Sequence, residues 1–194
     1  MDPISPARLI AQIVVVAILF LFAWWKPTPR LSILAMCVGG MIGYGLIQDQ
    51  ITARLSLEYF TLAHPRVFDS DEPTWHGLVW GFLGGWPGGL FLGLALAFTS
   101  TLGHWPTFGP SQLRTPLLIL FLCQGFSTAL TGFVAWTNYD KIGIDFVGDW
   151  AKVIPGEHRR GFFTVACAHM ATYSVATVGS VILCGWVAWK RRSS

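Results

Sequence analysis

Five long apolar stretches determine what this chain can fold into. They cover residues 9–25, 31–47, 74–98, 117–136 and 162–189. A helix of about 17 to 25 apolar residues crosses the hydrocarbon core of a bilayer, and it bonds its own backbone N–H and C=O groups, which lipid cannot do. The sequence therefore predicts an all-α, polytopic membrane protein, a compact bundle of about five transmembrane helices that forms a single domain over residues 1–194.

The composition agrees with a membrane protein and excludes a nucleic-acid binder. Hydrophobic residues make up 53% of the chain and charged residues only 12%, against roughly 25% charged residues in soluble domains. The net charge is +3, but the basic residues are scattered through loops and ends and form no stripe. We expect the lipid bilayer as a partner, a protein partner or a second copy of the chain as a further option, and no nucleic acid.

The basic residues nearest the span ends predict the orientation of the bundle. Five spans place the termini on opposite sides, and the 13 Lys and Arg divide into seven on the N-terminal side and six on the other. Since this count is nearly even, position decides: residues 26–30 and 190–192 place bases directly beside span ends, which favours the cytoplasm for both. We predict a bacterial inner-membrane protein with its N-terminus outside and its C-terminus in the cytoplasm.

The third span carries a stripe of glycines on one helix face. The stripe consists of Gly77, Gly81, Gly85, Gly89 and Gly93. Residues four apart lie one above the other on a helix, and small residues there let a neighbouring backbone approach closely. Small residues recur at the same spacing in the second span, at Ala35, Gly39 and Gly43, and in the fifth, at Ala168, Thr172, Ala176 and Ser180. We predict glycine-mediated packing of the third span on these two faces.

Pro87 lies in the middle of the glycine stripe and admits two interpretations. A proline has no amide N–H, so the carbonyl of Leu83 loses its partner. Either the helix then breaks into two halves whose ends bind an ion or substrate, as in transporters, or it only bends around its neighbours. The bend is favoured, because the middle of the membrane carries no charged side chain. Gln12 and Gln124, the amides at depth, are interpreted as interhelical hydrogen bonds.

Most of the polar chemistry falls on the N-terminal side of the predicted bundle. The candidate polar site comprises Asp49, Gln50, Thr52, Arg54, Glu58, Tyr59, His64, His76, His169 and Tyr173. If the second helix continues beyond the hydrocarbon, Arg54 and Glu58 share a face and pair as ions. The alternative to such an ion-pair network is a functional polar pocket.

Two short strings in this region carry a family resemblance. The sequence QDQIT at residues 48–52, followed by EYF at residues 58–60, resembles a family of uncharacterised bacterial integral-membrane proteins with an [HN]-[DN]-Q-[IV]-T string and an E-Y-F segment. The resemblance implies that a histidine and a tyrosine of the last span belong to the same motif, and His169 and Tyr173 match them. The chain departs from the pattern at Gln48, where the family has His or Asn. The resemblance implies a motif and no activity.

The histidines raise the question of a metal. Four of the five lie in the outer half, at His64, His76, His158 and His169, and imidazole and carboxylate groups are ligands for zinc, iron or copper. No HExxH or HxH spacing is present. His64, His76 and His169 are therefore weak metal candidates, a haem between the last two is less favoured still, and the cofactor stays open.

The segment from Asn138 to Ile154 alternates apolar and acidic residues. Phe146, Trp150, Val153 and Ile154 follow helical spacing, which predicts a short amphipathic helix on the outer membrane surface. This helix would either cover residues 49–52 as a lid or simply connect two spans.

The sequence is compatible with three classes of function. The first is a non-enzymatic bundle that binds a partner or lipid, with a polar site on its extracytoplasmic face. The second is a small transporter that uses a helix break at Pro87, and the third is a membrane metalloenzyme or redox protein with an outer His, Asp and Glu site. The first is favoured because glycine packing is extensive and buried polar groups are few. No nucleotide loop or nucleophile motif is present, but whether the protein is an enzyme stays undecided.

Overall fold

The computed structural model describes residues 4–67, 69–143 and 148–193. These residues form six α-helices and no strand. The helices are α1 (Pro6–Trp25), α2 (Pro29–Leu55), α3 (Glu58–Thr61), α4 (Pro73–Thr101), α5 (Pro110–Asn138) and α6 (Arg159–Arg192). All except the single turn of α3 are long and apolar enough to cross a membrane. The predicted all-α bundle of about five spans is confirmed.

Proline marks the start of four of the spans. Pro6, Pro29, Pro73 and Pro110 each occupy the first turn of their helix, where an N–H would have no partner within the helix. The side chain of Thr28 caps α2 by accepting a hydrogen bond from the N–H of Leu31 at 3.3 Å. Short turns between spans therefore reverse the chain without leaving the first amides unsatisfied.

The glycine stripe of α4 packs directly on the backbone of α2. A Cβ atom added to Gly81 would lie 2.6 Å from the carbonyl oxygen of Gly45, and one added to Gly85 would lie 2.7 Å from that of Met41. Near the N-terminal end of α4, a Cβ on Gly77 would lie 2.7 Å from the carbonyl oxygen of Asp49. Any side chain at these positions would push the two helices apart.

Of the two partner helices predicted for the stripe, α2 is right, but the small residues of the fifth span are not among the atoms nearest to these glycines. The predicted face of α2 is also wrong. The α2 residues opposite the stripe are Leu34, Val38, Met41, Gly45 and Asp49. Gly39 instead faces the ring of Phe20 in α1, and a Cβ on Gly43 would meet open space. Because α4 supplies the small residues, α2 needs a small residue only at Gly45. A Cβ there would lie 2.5 Å from the carbonyl oxygen of Gly81.

α1 lies at the edge of the bundle and packs mainly on α2. Only Val16 of this helix is buried. One hydrogen bond fixes its rotation, from Nε1 of Trp86 to Oε1 of Gln12 at 2.7 Å. The interpretation of Gln12 as an interhelical hydrogen bond is confirmed.

α4 runs as one helix through Pro87. It has no half-helix ends in the middle of the bundle, so the arrangement expected of a broken transporter helix is not formed. Pro87 still lacks an amide N–H, which leaves the carbonyl of Leu83 without its usual partner within the helix.

A buried arginine closes the end of the bundle at which α6 terminates. Arg191, near the end of α6, is only 2% exposed. Its guanidinium donates hydrogen bonds to four backbone carbonyls at the end of α4 and in the loop that follows. The acceptors are Thr99, Leu102 at 2.9 Å, Trp105 at 3.1 Å and Pro106 at 2.7 Å. This cation therefore holds the α4–α5 connection against α6.

The amphipathic α-helix expected before α6 is not formed in the described residues. A π-helical turn covers Tyr139–Gly143 and a 3-10 turn covers Gly148–Lys152, and Phe146 lies outside the described residues. Trp150 packs against Phe162 with ring centroids 5.7 Å apart, and Ile154 is buried. Gly148 has a φ of 47°, in the left-handed region that favours glycine, so a right-handed helix does not continue through this residue.

Candidate functional site

A cavity of about 140 Å³ lies among α2, α4, α5 and α6, beneath α3. Its lining includes Tyr44, Gln48, Asp49, Tyr59, Phe60, His64, Trp80, Gly84, Gln124, His169, Thr172 and Tyr173. A cavity of roughly 150 Å³ accommodates a molecule the size of benzene. The space therefore suits several waters or one small molecule.

Asp49 of α2 and His169 of α6 meet at this cavity. Nε2 of His169 lies 3.1 Å from Oδ1 of Asp49, and Nδ1 lies 2.9 Å from the carbonyl oxygen of Val165, one turn earlier in α6. Both side chains are buried, with 10% or less of each exposed. The pair joins α2 to α6 through two residues that are 120 positions apart in sequence.

The hydrogen-bond partners of His169 determine how many protons the pair holds. A carbonyl oxygen only accepts, so Nδ1 must carry a hydrogen. Nε2 faces a carboxylate, so either Nε2 donates to Asp49 or a protonated Asp49 donates to Nε2. In both arrangements the pair holds one shared proton and has no net charge, which makes its burial tolerable.

Aromatic rings surround the pair on the side of α3. Ser56 follows α2 in an extended conformation, with φ −154° and ψ 107°, and turns the chain so that α3 folds back over the end of α2. The ring of Tyr59 lies 4.7 Å from that of His169, centroid to centroid. His64 follows, with its ring 4.9 Å from Tyr59 and 4.6 Å from Trp80.

His64 and Tyr59 stay uncharged at neutral pH. Nδ1 of His64 donates to the carbonyl oxygen of Tyr59 at 2.8 Å, so Nε2 keeps its lone pair. Burial lowers the pKa of His64, and the neighbouring His169 lowers it further, against opposing effects of the hydrogen bond to Tyr59 and of Asp49. Burial also raises the pKa of the Tyr59 hydroxyl, as do Tyr173 and Asp49.

Two polar groups of the lining have no hydrogen-bond partner among the described residues. Gln124 is fully buried, and neither its amide nitrogen nor its oxygen is bonded; Nε1 of Trp80 is also buried and unbonded. The interhelical hydrogen bond predicted for Gln124 is therefore not formed. An unsatisfied buried polar group costs about 1–3 kcal/mol. Both residues line the cavity, so these unbonded polar groups belong to its wall.

A second polar network joins α2, α5 and α6 beside the pair. Oγ1 of Thr172 donates to Oε1 of Gln48 at 2.7 Å, and Oγ1 of Thr128 lies 2.6 Å from Oγ1 of Thr172. The hydroxyl of Tyr44 lies 3.0 Å from Thr128. Since each hydroxyl has one hydrogen, a consistent direction runs from Tyr44 through Thr128 and Thr172 to Gln48.

Sequence reasoning missed Tyr44, Thr128 and the role of Gln48. The spacing of Thr172 in a stripe of small residues was the available signal, but hydroxyls in a span bond to their own helix as readily as to another. Gln48 supplies the acceptor at the end of this series of hydroxyls.

The expected ion pair between Arg54 and Glu58 is wrong. α2 ends at Leu55, so the two residues do not share a helix face. Arg54 donates to Oε1 of Gln50 at 2.8 Å and to Oγ1 of Thr74 at 2.9 Å. Glu58 accepts from Ser56 at 2.8 Å and lies 2.7 Å from Nδ1 of His158. Both carry structural contacts outside the cavity.

Gln50 and Thr52 also have structural contacts. Gln50 donates to the carbonyl oxygen of Thr74 at 2.9 Å and so joins α2 to α4. Thr52 bonds to the carbonyl of Gln48 at 3.2 Å and lies 3.4 Å from Oδ1 of Asp49. Thr52 therefore supports the carboxylate from its own helix.

The three candidate metal histidines do not converge. His76 is buried, with Nε2 2.7 Å from the carbonyl oxygen of Ser70, and it does not line the cavity. His64 and His169 both line it, as does Tyr173, whose ring lies 6.2 Å from that of His169. Over the described ranges, no group of three or more His, Cys, Asp or Glu side chains is placed to hold a metal ion.

Comparison with models of known families, with curated proteins and with solved structures gives no match for this chain.

Proposed function

We propose that this protein is a membrane receptor or carrier bundle without catalytic activity of its own, which binds a small polar ligand in the cavity around Asp49 and His169. The observation that carries the proposal is the unbonded amide of Gln124, fully buried on the cavity wall. No protein group bonds to this amide, so in the absence of a bonded molecule it is retained at a cost in stability. A ligand that bonds to it offsets that cost.

The two other classes of function have less support. A metal centre needs three or more ligands at one point, and the described residues do not bring that many together. A transporter with a broken helix at Pro87 needs half-helix ends at the midplane, whereas α4 is continuous there.

The proposed location is a bacterial inner membrane, with the N-terminus outside. The cavity lies toward the C-terminal end of α2 and is covered by α3 and His64, so this orientation places it toward the extracytoplasmic face. We expect alkaline phosphatase fused before α1 to be active and green fluorescent protein fused after α6 to fluoresce. A fluorescent protein inserted in residues 102–109 should behave like the C-terminal fusion. The opposite pattern of signals would reverse the proposed orientation.

Replacing Gln124 with leucine should stabilise the ligand-free protein. Leucine is similar in size and removes two unsatisfied polar atoms, so we expect a gain of about 1–3 kcal/mol in the free energy of unfolding. The measurement is thermal or denaturant unfolding of the purified protein in mild detergent.

The matched control is Gln12→Leu. It breaks an existing bond to Trp86 and leaves that indole N–H without a partner, so this variant should be less stable than the native protein. If Gln124→Leu destabilises the protein as much as Gln12→Leu does, Gln124 is a structural residue and the proposed binding function loses its basis.

A further inference from the structure

The cavity wall has the composition of a cation site. Asp49 supplies a carboxylate, and no Lys or Arg is among the described lining residues. Further acceptors are Oε1 of Gln124 and Nε2 of His64. The rings of Tyr59 and Trp80 complete the wall, and ring faces attract cations, most strongly where water is excluded.

We propose that the cavity binds a small organic ammonium ion and releases one proton as it does so. The inference rests on the proposed function, because it names the ligand class of the same cavity. Aromatic walls around one carboxylate favour an organic ammonium over a metal ion, which requires several hard or imidazole ligands. A volume of about 140 Å³ limits the ion to a few heavy atoms.

Release of the proton follows from the hydrogen bonds of His169. Without ligand, Asp49 and His169 share one proton and have no net charge. An ammonium ion beside Asp49 would place a second positive charge next to the proton that Asp49 and His169 share. Two like charges in contact repel strongly in a buried site. The proton on Nε2 therefore leaves to solvent.

The exchange balances in charge and in hydrogen bonds. One positive charge enters with the ligand and one leaves as the proton. Nε2 of His169 then has a lone pair that accepts an N–H from the ammonium, while its Nδ1 still donates to Val165. The carboxylate of Asp49 accepts a second N–H, and no covalent bond other than N–H or O–H changes.

The other titratable groups that face the pair do not supply this proton. They are Tyr44 of α2, Tyr59 of α3, His64 of the following segment and Tyr173 of α6. The hydroxyl of Tyr44 is bonded to Thr128. Burial lowers the pKa of His64 and raises the pKa of Tyr59, so the first has no proton on Nε2 and the second keeps its own. The described lining residues from α4 and α5 have no titratable group.

The test is calorimetric titration of the full chain in mild detergent with ethylammonium chloride, at constant ionic strength, in two buffers of different ionisation enthalpy. We expect saturable binding with about one proton released per bound ion. While the pair holds its proton, apparent affinity should rise about tenfold per pH unit, because one proton is exchanged.

Variants separate binding from proton release. Asp49→Asn should weaken binding by about 100-fold, because the carboxylate is lost. His169→Gln keeps an acceptor toward the ligand, so it should bind the ion without releasing a proton and without dependence on pH. Glu58→Gln, in the other His and carboxylate pair outside the cavity, should leave both quantities unchanged.

The possible contrary results have distinct meanings. If ethylammonium does not bind while Gln124→Leu stabilises the protein, the ligand class is wrong and the binding function stands. If it binds without proton release, the exchange is wrong. Sodium chloride that competes as well as ethylammonium would show an inorganic cation site and would overturn the organic ligand.

Discussion

A Gly85→Leu variant will not assemble into the native bundle. A Cβ at this position would lie 2.7 Å from the carbonyl oxygen of Met41 and 2.8 Å from the Cα of Ile42. Both are backbone atoms, so no side-chain rotation relieves the overlap and α2 must move away from α4. Overpacking alone costs about 1–3 kcal/mol, and the lost contact between these two helices adds to it, because close packing is what associates helices in lipid.

The neighbouring glycine provides the matched control. A Cβ on Gly84 would have no atom within 4 Å, so Gly84→Leu projects into the cavity and leaves the helix contact intact. Size-exclusion chromatography and thermal unfolding in detergent measure the difference. We expect Gly84→Leu to remain monodisperse and Gly85→Leu to aggregate or to lose most of its stability. Equal behaviour of the two variants would show that the stripe does not hold α4 to α2.

Arg191→Ala will destabilise the protein by about 3–5 kcal/mol, because several buried carbonyls lose a charged donor and each unsatisfied group costs about 1–3 kcal/mol. Four backbone carbonyls would lose their donor at once. Two of them, at Thr99 and Leu102, belong to the C-terminal end of α4, where the negative end of the helix dipole also favours a cation. Loss of the side chain should therefore loosen residues 102–109, and limited proteolysis should cut there first.

Arg192→Ala is the control for charge. Arg192 is exposed and lies over the ring of Trp105 at 4.7 Å, a contact that contributes about 0.5–1 kcal/mol at an exposed site. Both variants remove one positive charge from the same end of α6. A similar loss of stability in the two would mean that the carbonyl contacts of Arg191 contribute little.

The spans could be predicted because the bilayer constrains them strongly. Apolar length sets where a helix can cross, and proline sets where it can begin, so the predicted spans fall within the observed helices. Of the two partner helices predicted for the glycine stripe, α2 was correct and the fifth span was not. The α2 residues predicted to face the stripe were wrong, because the rotation of α2 depends on all its neighbours, and spacing within α2 alone does not contain that information.

The site was predicted in part. Asp49, Tyr59, His64, His169 and Tyr173 were named and do line one cavity. Arg54 and Glu58 were misassigned because α2 ends at Leu55 and Ser56 adopts an extended conformation. The neighbouring residues do not predict this helix end. Gln124 was read as bonded because most buried amides are bonded, and only the three-dimensional arrangement reveals that this one is not.

The contact between Gly77 and Asp49 links the packing of the bundle to its chemistry. Gly77 touches the backbone of the residue whose side chain forms the pair with His169. A backbone held by another backbone has no rotamers to sample, so the position of the carboxylate follows the register of two helices and not the motion of one side chain. The distance between the carboxylate and the imidazole therefore depends on the position of α2 against α4. A substitution anywhere along that contact will change this distance and with it the hydrogen bond that holds the shared proton.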